Sequence, residues 1–213
     1  MPPPQTILGW VVSVPDNDSY MLGDETEKVV DPILCKSHDW RFMHKGRPHP
    51  ATCQRCGRKI VGDYLNPKFR VKKRRHSLSI TYDGYVIASK AFQGFCTSDR
   101  YPGVDFLELP SDPEFAVLRV HDIVAFDPLG RGTRTENLCS ACGRHSVVVG
   151  SAPVFLKEVR SPLKDGFYRT DLAFGCTHEQ HPLLILGAST ADYLRSKKLR
   201  GIVLKKIVAP EWR

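Results

Sequence analysis

Residues 53–58 read CQRCGR and residues 139–144 read CSACGR, so one Cys-x-x-Cys-Gly-Arg pattern occurs twice in the chain. Two cysteines three positions apart can bind one metal ion when the backbone turns tightly between them, and a glycine after the second cysteine permits that turn. Each pair supplies two ligands, whereas zinc takes about four in a tetrahedron. The repeated pattern therefore predicts one zinc site, with the ligands Cys53, Cys56, Cys139 and Cys142.

A site with four cysteine ligands leaves no open position for a substrate, so this zinc is expected to be structural. The pairs are further apart in sequence than in a usual zinc ribbon, and the ion would therefore join two distant parts of the chain. A redox role is disfavoured because neither pair has the strand-to-helix context of a thioredoxin-like dithiol. His49 and His145 lie beside the pairs and are expected to be neighbours of the site or surface residues, not ligands.

Hydrophobic periodicity predicts an α+β fold with mixed β-sheets and few short helices, in which two β-α-β-containing halves are joined by the four-cysteine zinc site. Asp83 and Gly84 are expected to form a hairpin turn. Ser89 is expected to cap the first helix and Ser189 or Thr190 the second, which Gly201 closes. Residues 127–135 are expected to form a loop. Strands are expected over residues 7–14, 77–82, 85–88, 104–109, 115–126 with a candidate interruption at His121 and Asp122, 146–150, 166–175, 183–186 and 202–208.

Two stretches share one plan of strand, cap, short helix, glycine and strand. They are residues 85–109, YVIASKAFQGFCTSDRYPGVDFLEL, and residues 183–207, LLILGASTADYLRSKKLRGIVLKKI. We interpret the chain as a single domain, residues 1–213, with pseudo-repeat halves at 53–109 and 139–208. The alternative is that two unrelated segments converged on the common β-α-β arrangement. A true repeat predicts that the two strands of each unit run parallel.

The composition is that of an ordinary globular protein. The 213 residues are 41% hydrophobic and 25% charged, with a formal net charge of +8. No apolar run approaches the length of a membrane span, and residues 1–5, MPPPQ, do not resemble a secretory signal. Together with the unpaired seventh cysteine, these features predict a cytoplasmic protein without a membrane partner.

Several residues outside the cysteine pairs are expected to be structural. Cys35, Cys96 and Cys176 stand alone and read as small buried hydrophobic residues. Trp40 and Phe42 are the expected core residues of a weakly patterned N-terminal region.

The sequence contains no strong catalytic motif and therefore predicts that the protein is not an enzyme. It contains no phosphate-binding glycine loop, no Gly-x-Ser-x-Gly and no His-Glu-x-x-His. His121 and Asp122 are neighbours of the kind that is usually structural.

The paired CxxCG motifs, and the run from FYRTDLAFG to the final IVLKKI strand, resemble the myxobacterial double-CxxCG motif proteins. This family includes immunity proteins against swarming-inhibition toxins. The resemblance covers the second half of the chain and the first cysteine pair. It implies a cytoplasmic immunity protein, active in bacterial competition, that binds and neutralises a cognate toxin encoded nearby. The four cysteines carry over as metal ligands, whereas the motif identifies no toxin-contacting residue.

The alternative function is a nucleic-acid-binding zinc module. The basic run Lys72-Lys73-Arg74-Arg75 would contact phosphates, with Tyr82 and Tyr85 as platforms on which bases stack. The simpler interpretation of this run is a solvated loop or strand end.

Overall fold

The computed structural model describes residues 5–22, 49–97 and 100–209. Cys35, Trp40 and Phe42, for which the sequence predicts buried positions, lie outside the described residues. The described parts contain two β-sheets and three short α-helices, which confirms the predicted α+β class.

The first sheet has four strands in the order β2-β3-β5-β4. Thr81, Asp83 and Gly84 form the predicted turn before β3, with Gly84 at a φ of 78° that favours glycine. Ser89 caps the following helix by accepting a hydrogen bond from the amide of Phe92, as predicted. The elements are β2 (Leu78–Ile80), β3 (Val86–Ser89), α1 (Lys90–Phe95), β4 (Val104–Glu108) and β5 (Phe115–Val120).

The second sheet has seven strands in the order β11-β1-β10-β9-β8-β7, and β6 runs parallel to β9 beside this path. A short 3-10 helix, Thr177–Glu179, connects β9 to β10. The elements are β1 (Ile7–Ser13), β6 (Ile123–Val124), α2 (Pro128–Arg131), β7 (Arg134–Leu138), β8 (His145–Val149), β9 (Phe167–Cys176), β10 (His181–Leu186), α3 (Ala188–Ser196) and β11 (Val203–Val208).

Both sheets contain the same arrangement around a helix. In the first, β3 and β4 flank β5 and are antiparallel to it, so β3 and β4 run parallel to each other. In the second, β10 and β11 flank β1 in the same way. The two strands that flank the helix of each unit are therefore parallel, but a third strand lies between them. We call β2-β3-α1-β4 the first unit and β9-β10-α3-β11 the second.

The central strand of each unit comes from the other half of the chain. Strand β1 precedes the first cysteine pair but is inserted in the second unit, and β5 precedes the second cysteine pair but is inserted in the first. Residues 5–109 and 115–209 share the order of a leading strand, a CxxCG pair, a hairpin, a helix and a strand, and the second of these parts has β6, α2, β7 and β8 in addition. The two halves exchange their leading strands.

The strand registers of the two units agree residue by residue. Ile87 and Leu107 both pair with Val117, from opposite sides of β5. Ile185 and Lys205 both pair with Val11. The positions move from 87 to 185 and from 107 to 205, by 98 in both cases, so β3-α1-β4 aligns with β10-α3-β11 without a gap. The strands before them, β2 and β9, are offset by 89, because Ile87 pairs with Ser79 and Ile185 with Tyr168. Descent of both halves from one ancestral unit stays a prediction.

Counterparts in the two units also contact each other. Phe95 and Tyr193, which are 98 positions apart, stack with ring centroids 5.0 Å apart and an interplanar angle of 24°. They lie at the edge of a hydrophobic cluster that includes Phe92, Phe167 and Leu194 and so draws on both units. Contacts between equivalent residues are the signature of a two-fold relationship. The two units therefore pack on each other about a pseudo-two-fold axis.

Two local predictions are wrong. The cap of α3 is Gly187, not Ser189 or Thr190, and the Thr190 hydroxyl accepts a hydrogen bond from the amide of Gly166 instead. A Cβ at Gly187 would collide with the carbonyl of Lys164. Gly201 has the expected left-handed φ of 80° but lies beyond the end of α3.

Residues 127–135 are also not a plain loop, since they contain α2 and the start of β7. Asp127 caps α2, and Gly132 ends it in a left-handed conformation. Every residue of β7 is exposed, so this strand lacks the apolar alternation that predicts strands. No helix of the described residues is long and apolar enough to cross a membrane.

Candidate metal centre

The two cysteine pairs meet at one point between the halves. The ligand atoms of Cys53, Cys56, Cys139 and Cys142 all lie within 4.8 Å of one another. The Sγ atoms of Cys53 and Cys139 are 3.9 Å apart, and those of Cys56 and Cys142 are 3.7 Å apart. Sulfurs bound to a tetrahedral ion at about 2.3 Å would be about 3.8 Å apart. All four cysteines are free, and their spacing fits a metal ion.

The backbone of each pair forms the same tight turn. The amide of Gly57 donates to the carbonyl of Cys53 at 2.8 Å, and the amide of Gly143 donates to the carbonyl of Cys139 at the same distance. Both glycines have a left-handed φ, 70° for Gly57 and 66° for Gly143. A side chain at these positions would be strained, which explains the glycine after each pair.

The site follows the pseudo-two-fold relationship of the units. Cys53 contacts its counterpart Cys139, and both are buried with 6% exposure. Cys56 contacts its counterpart Cys142, and both are partly exposed. A metal ion at the centre of the four sulfurs would therefore lie close to the pseudo-axis and take two ligands from each half.

The surroundings shift two thiol pKa values in opposite directions. The backbone amides of Cys142 and Ala141 donate hydrogen bonds to Cys139 and lower its pKa to about 6. Burial raises the pKa of Cys56 to about 12. Binding of a divalent cation would favour the thiolate form of the ligands.

Arg58 links the first pair to the second. Its Nη1 donates to the carbonyl oxygen of His145 at 2.8 Å, across the site. Burial lowers the pKa of Arg58, while the nearby thiolates of Cys142 and Cys56 act in the opposite direction. The sequence analysis did not predict this contact with the opposite half. The repeated Arg after each CxxCG was the available signal.

The two histidines beside the pairs do not join the sulfur cluster. The Nδ1 atom of His49 accepts a hydrogen bond from the amide of Ala51 at 3.0 Å, and its ring packs against Tyr64. His145 contributes its backbone carbonyl to the contact with Arg58. Both residues are neighbours of the site, as the sequence predicts.

The comparisons with known proteins give no identification. No protein-family model matches the chain, and no match is found among curated proteins.

The basic run is partly neutralised within the protein. Lys73 forms a 2.6 Å salt bridge with Asp18, and Arg74 forms a 2.5 Å salt bridge with Asp112. Arg74 also lies over the ring of Phe115. Lys72 and Arg75 remain exposed. Two of the four charges thus have internal partners, as expected for a structural segment.

The two tyrosines expected to stack on bases, Tyr82 and Tyr85, have partners within the protein. Tyr85 is buried at 3% exposure, with Lys59 Nζ 4.0 Å from its ring centroid, so the prediction that it stacks on bases is wrong. The hydroxyl of Tyr82 donates to Asp18 at 3.0 Å, and its ring packs against Tyr20.

The remaining lone residues have structural positions. Cys96 is buried in the core between the units, as predicted, whereas Cys176 is only partly buried at the end of β9. His121 contacts Asp105 at 3.0 Å, and Asp122 accepts a hydrogen bond from the amide of Arg169 through its backbone. The two neighbours therefore have separate partners.

Proposed function

We propose that the protein is a non-enzymatic immunity protein that binds and neutralises a cognate bacterial toxin in the cytoplasm. The observation that carries this proposal is the cluster of four cysteines contributed equally by both halves. It supports the motif pairing on which the resemblance to double-CxxCG proteins rests. A four-sulfur set also offers no open coordination position, which favours a structural metal over a catalytic one.

We further propose that the metal is zinc. Four thiolates in tetrahedral spacing suit zinc or an iron site, and zinc is the ion that tetrahedral four-cysteine sites with paired knuckles most often hold. The metal would cross-link the halves and leave the outer surface to the partner. Affinity for the toxin would then come from a few aromatic and charged anchors on that surface.

The experiment is a growth-rescue assay with the proteins encoded beside this gene. Each is expressed in a bacterial host alone and together with this protein, and the complex is examined by native mass spectrometry. We expect one neighbour to arrest growth, co-expression to restore it, and the complex to carry one zinc ion. A chain that rescues no toxic neighbour, and carries nucleic acid when purified, would contradict the proposal and favour the nucleic-acid-binding alternative.

A further inference from the structure

We propose that a basic aromatic patch on the second unit, completed by Arg100 of the first, is the surface that docks an acidic face of the protein partner. This inference rests on the proposed function, because it assumes a protein partner, and it adds the location and the charge of the contact. The patch consists of Trp10 on β1, Arg100 before β4, Tyr193 and Arg195 on α3, Lys197 directly after α3, and Lys206 on β11.

Four cations of the patch lie over two aromatic rings. The guanidinium carbon of Arg195 is 3.6 Å from the ring centroid of Trp10, and Lys206 Nζ is 5.8 Å from the same centroid. The guanidinium carbon of Arg100 is 3.7 Å from the ring centroid of Tyr193, and Lys197 Nζ is 4.5 Å away. These distances are within the range of about 6 Å for cation–π attraction. The rings therefore hold the cations in place at the surface.

The patch keeps a surplus of positive charge. All four cations are exposed. Arg195 forms a salt bridge of 2.7 Å with Asp192. Both side chains are exposed, so solvent strongly screens the attraction between them. Lys198 and Arg200 are also exposed and add two positive charges in the segment between α3 and β11. Such a field speeds encounter with an acidic partner and disfavours basic ones.

The fold itself does not require this patch. The counterparts of Trp10, Arg195 and Lys206 in the first unit are Ala116, Thr97 and Glu108. The first unit therefore forms without an aromatic ring or a basic side chain at these three positions, and its helix α1 ends before Thr97. The cluster of Trp10 with Arg195 and Lys206 is specific to the second unit, whereas Tyr193 corresponds to the aromatic Phe95.

The geometry favours carboxylates over nucleic-acid bases as the partner's groups. Base stacking needs a free ring face, but cations cover Trp10 and Tyr193, and Phe95 stacks on Tyr193. A guanidinium that lies flat on a ring still presents its N–H groups at the edge, where a carboxylate can accept two hydrogen bonds. Trp, Tyr and Arg are also the residues that most often dominate protein interfaces.

Fluorescence anisotropy with a labelled deca-glutamate peptide tests the patch directly. Binding is compared between the wild type, the double variant Arg195→Gln with Lys206→Gln, and the control Lys72→Gln with Arg75→Gln. Both variants lose two exposed positive charges. At low salt we expect the patch variant to bind about fivefold more weakly or worse, and the control to change less than about twofold. Equal losses, or no binding by the wild type, would overturn the proposal.

A labelled oligothymidine of similar length tests the nucleic-acid alternative. Stronger binding of oligothymidine than of the peptide, lost in the patch variant only, would assign the patch to nucleic acid and overturn the inference. Weak binding that both variants reduce equally agrees with the proposal, since it reflects net charge alone.

The growth-rescue assay, repeated with the patch variant, separates this inference from the proposed function. If the patch variant still neutralises the toxin as well as the wild type, the surface is wrongly assigned and the immunity role stands. If the wild type rescues no toxic neighbour while the peptide result holds, the immunity role fails and the patch remains a site for acidic proteins.

Discussion

The backbone amide of Ala209 donates a hydrogen bond of 2.9 Å to the carbonyl oxygen of Thr6, so the two ends of the described chain lie side by side. They extend β11 and β1, which pair in the second unit as β4 and β5 pair in the first. In the first unit, the turn between β4 and β5 occupies the equivalent position. A covalent turn in one unit thus corresponds to the two ends of the described chain in the other.

A circular permutant is expected to fold because of this correspondence. Residue 209 is joined to residue 5 by a short linker, and new ends are opened between Pro113 and Glu114, which are both exposed. The permutant keeps every strand pair and both cysteine pairs. We expect it to melt within a few degrees of the wild type and to bind one metal ion, as measured by calorimetry and elemental analysis.

A second permutant, opened between Leu118 and Arg119 inside β5, serves as the control. It should fail to fold, because it breaks the central strand of the first unit. Unfolding of the permutant with ends at Pro113 and Glu114 would contradict the proposed equivalence of the turn and the chain ends.

Replacement of one cluster cysteine should remove the metal and destabilise the whole chain. Cys139→Ser and Cys53→Ser are expected to act alike, since the two residues are counterparts with the same burial. Metal binding is coupled to folding, so we expect a loss of several kcal/mol in urea denaturation. The matched control is Cys176→Ser, a cysteine outside the cluster. Wild-type stability in either cluster variant would exclude a structural metal.

Two glycines offer a matched test of the turn before β3. Gly84→Ala should destabilise the protein by about 2 kcal/mol, because φ is 78° and the new Cβ would lie 2.7 Å from the Cβ of His181. Gly94→Ala should leave stability unchanged or raise it by up to about 1 kcal/mol, since this helical position has nothing within 4 Å. Denaturation midpoints measure both changes. The opposite order of the two effects would show that the turn is not constrained as described.

Acid should destabilise the protein through His178. Burial lowers its pKa to about 4, whereas the unfolded chain would titrate near 6.5. The unfolded state therefore takes up the proton first, and stability present above pH 6.5 is lost as the pH falls toward 4. The loss from this group is roughly 2 to 3 kcal/mol.

The variant His178→Gln should lose less stability than the wild type over that pH interval. Comparison of the two proteins at each pH cancels protonation of the metal ligands, which both share. Parallel stability curves would show that His178 does not titrate on unfolding.

Local sequence signals were sufficient where one chemical rule acts alone. The CxxCG pairs identified the four clustered cysteines, because few arrangements use that spacing. Ser89 was recognisable as a cap, and Asp83 with Gly84 as a turn, because each motif carries its own hydrogen bond or backbone requirement.

The rest depends on contacts that no local pattern contains. The exchange of β1 and β5 leaves each strand's own sequence unchanged, so periodicity predicts the strands but not the sheet that each one joins. The cap of α3 must be a glycine because a Cβ at position 187 would collide with the carbonyl of Lys164, which is distant in sequence. The basic aromatic patch combines Trp10 with residues near the opposite end of the chain and becomes visible only after folding.

The exchange of leading strands also determines what a single peptide-bond break would do. A protease that cuts the exposed turn at Pro113 and Glu114 produces two fragments, one with β1 to β4 and one with β5 to β11. Each fragment still contributes the middle strand of the other's sheet, and a metal ion would bind cysteines of both. Two strands would have to be withdrawn and the ion released before the fragments could separate. The cut protein should therefore migrate as one particle under native conditions and as two bands only after denaturation.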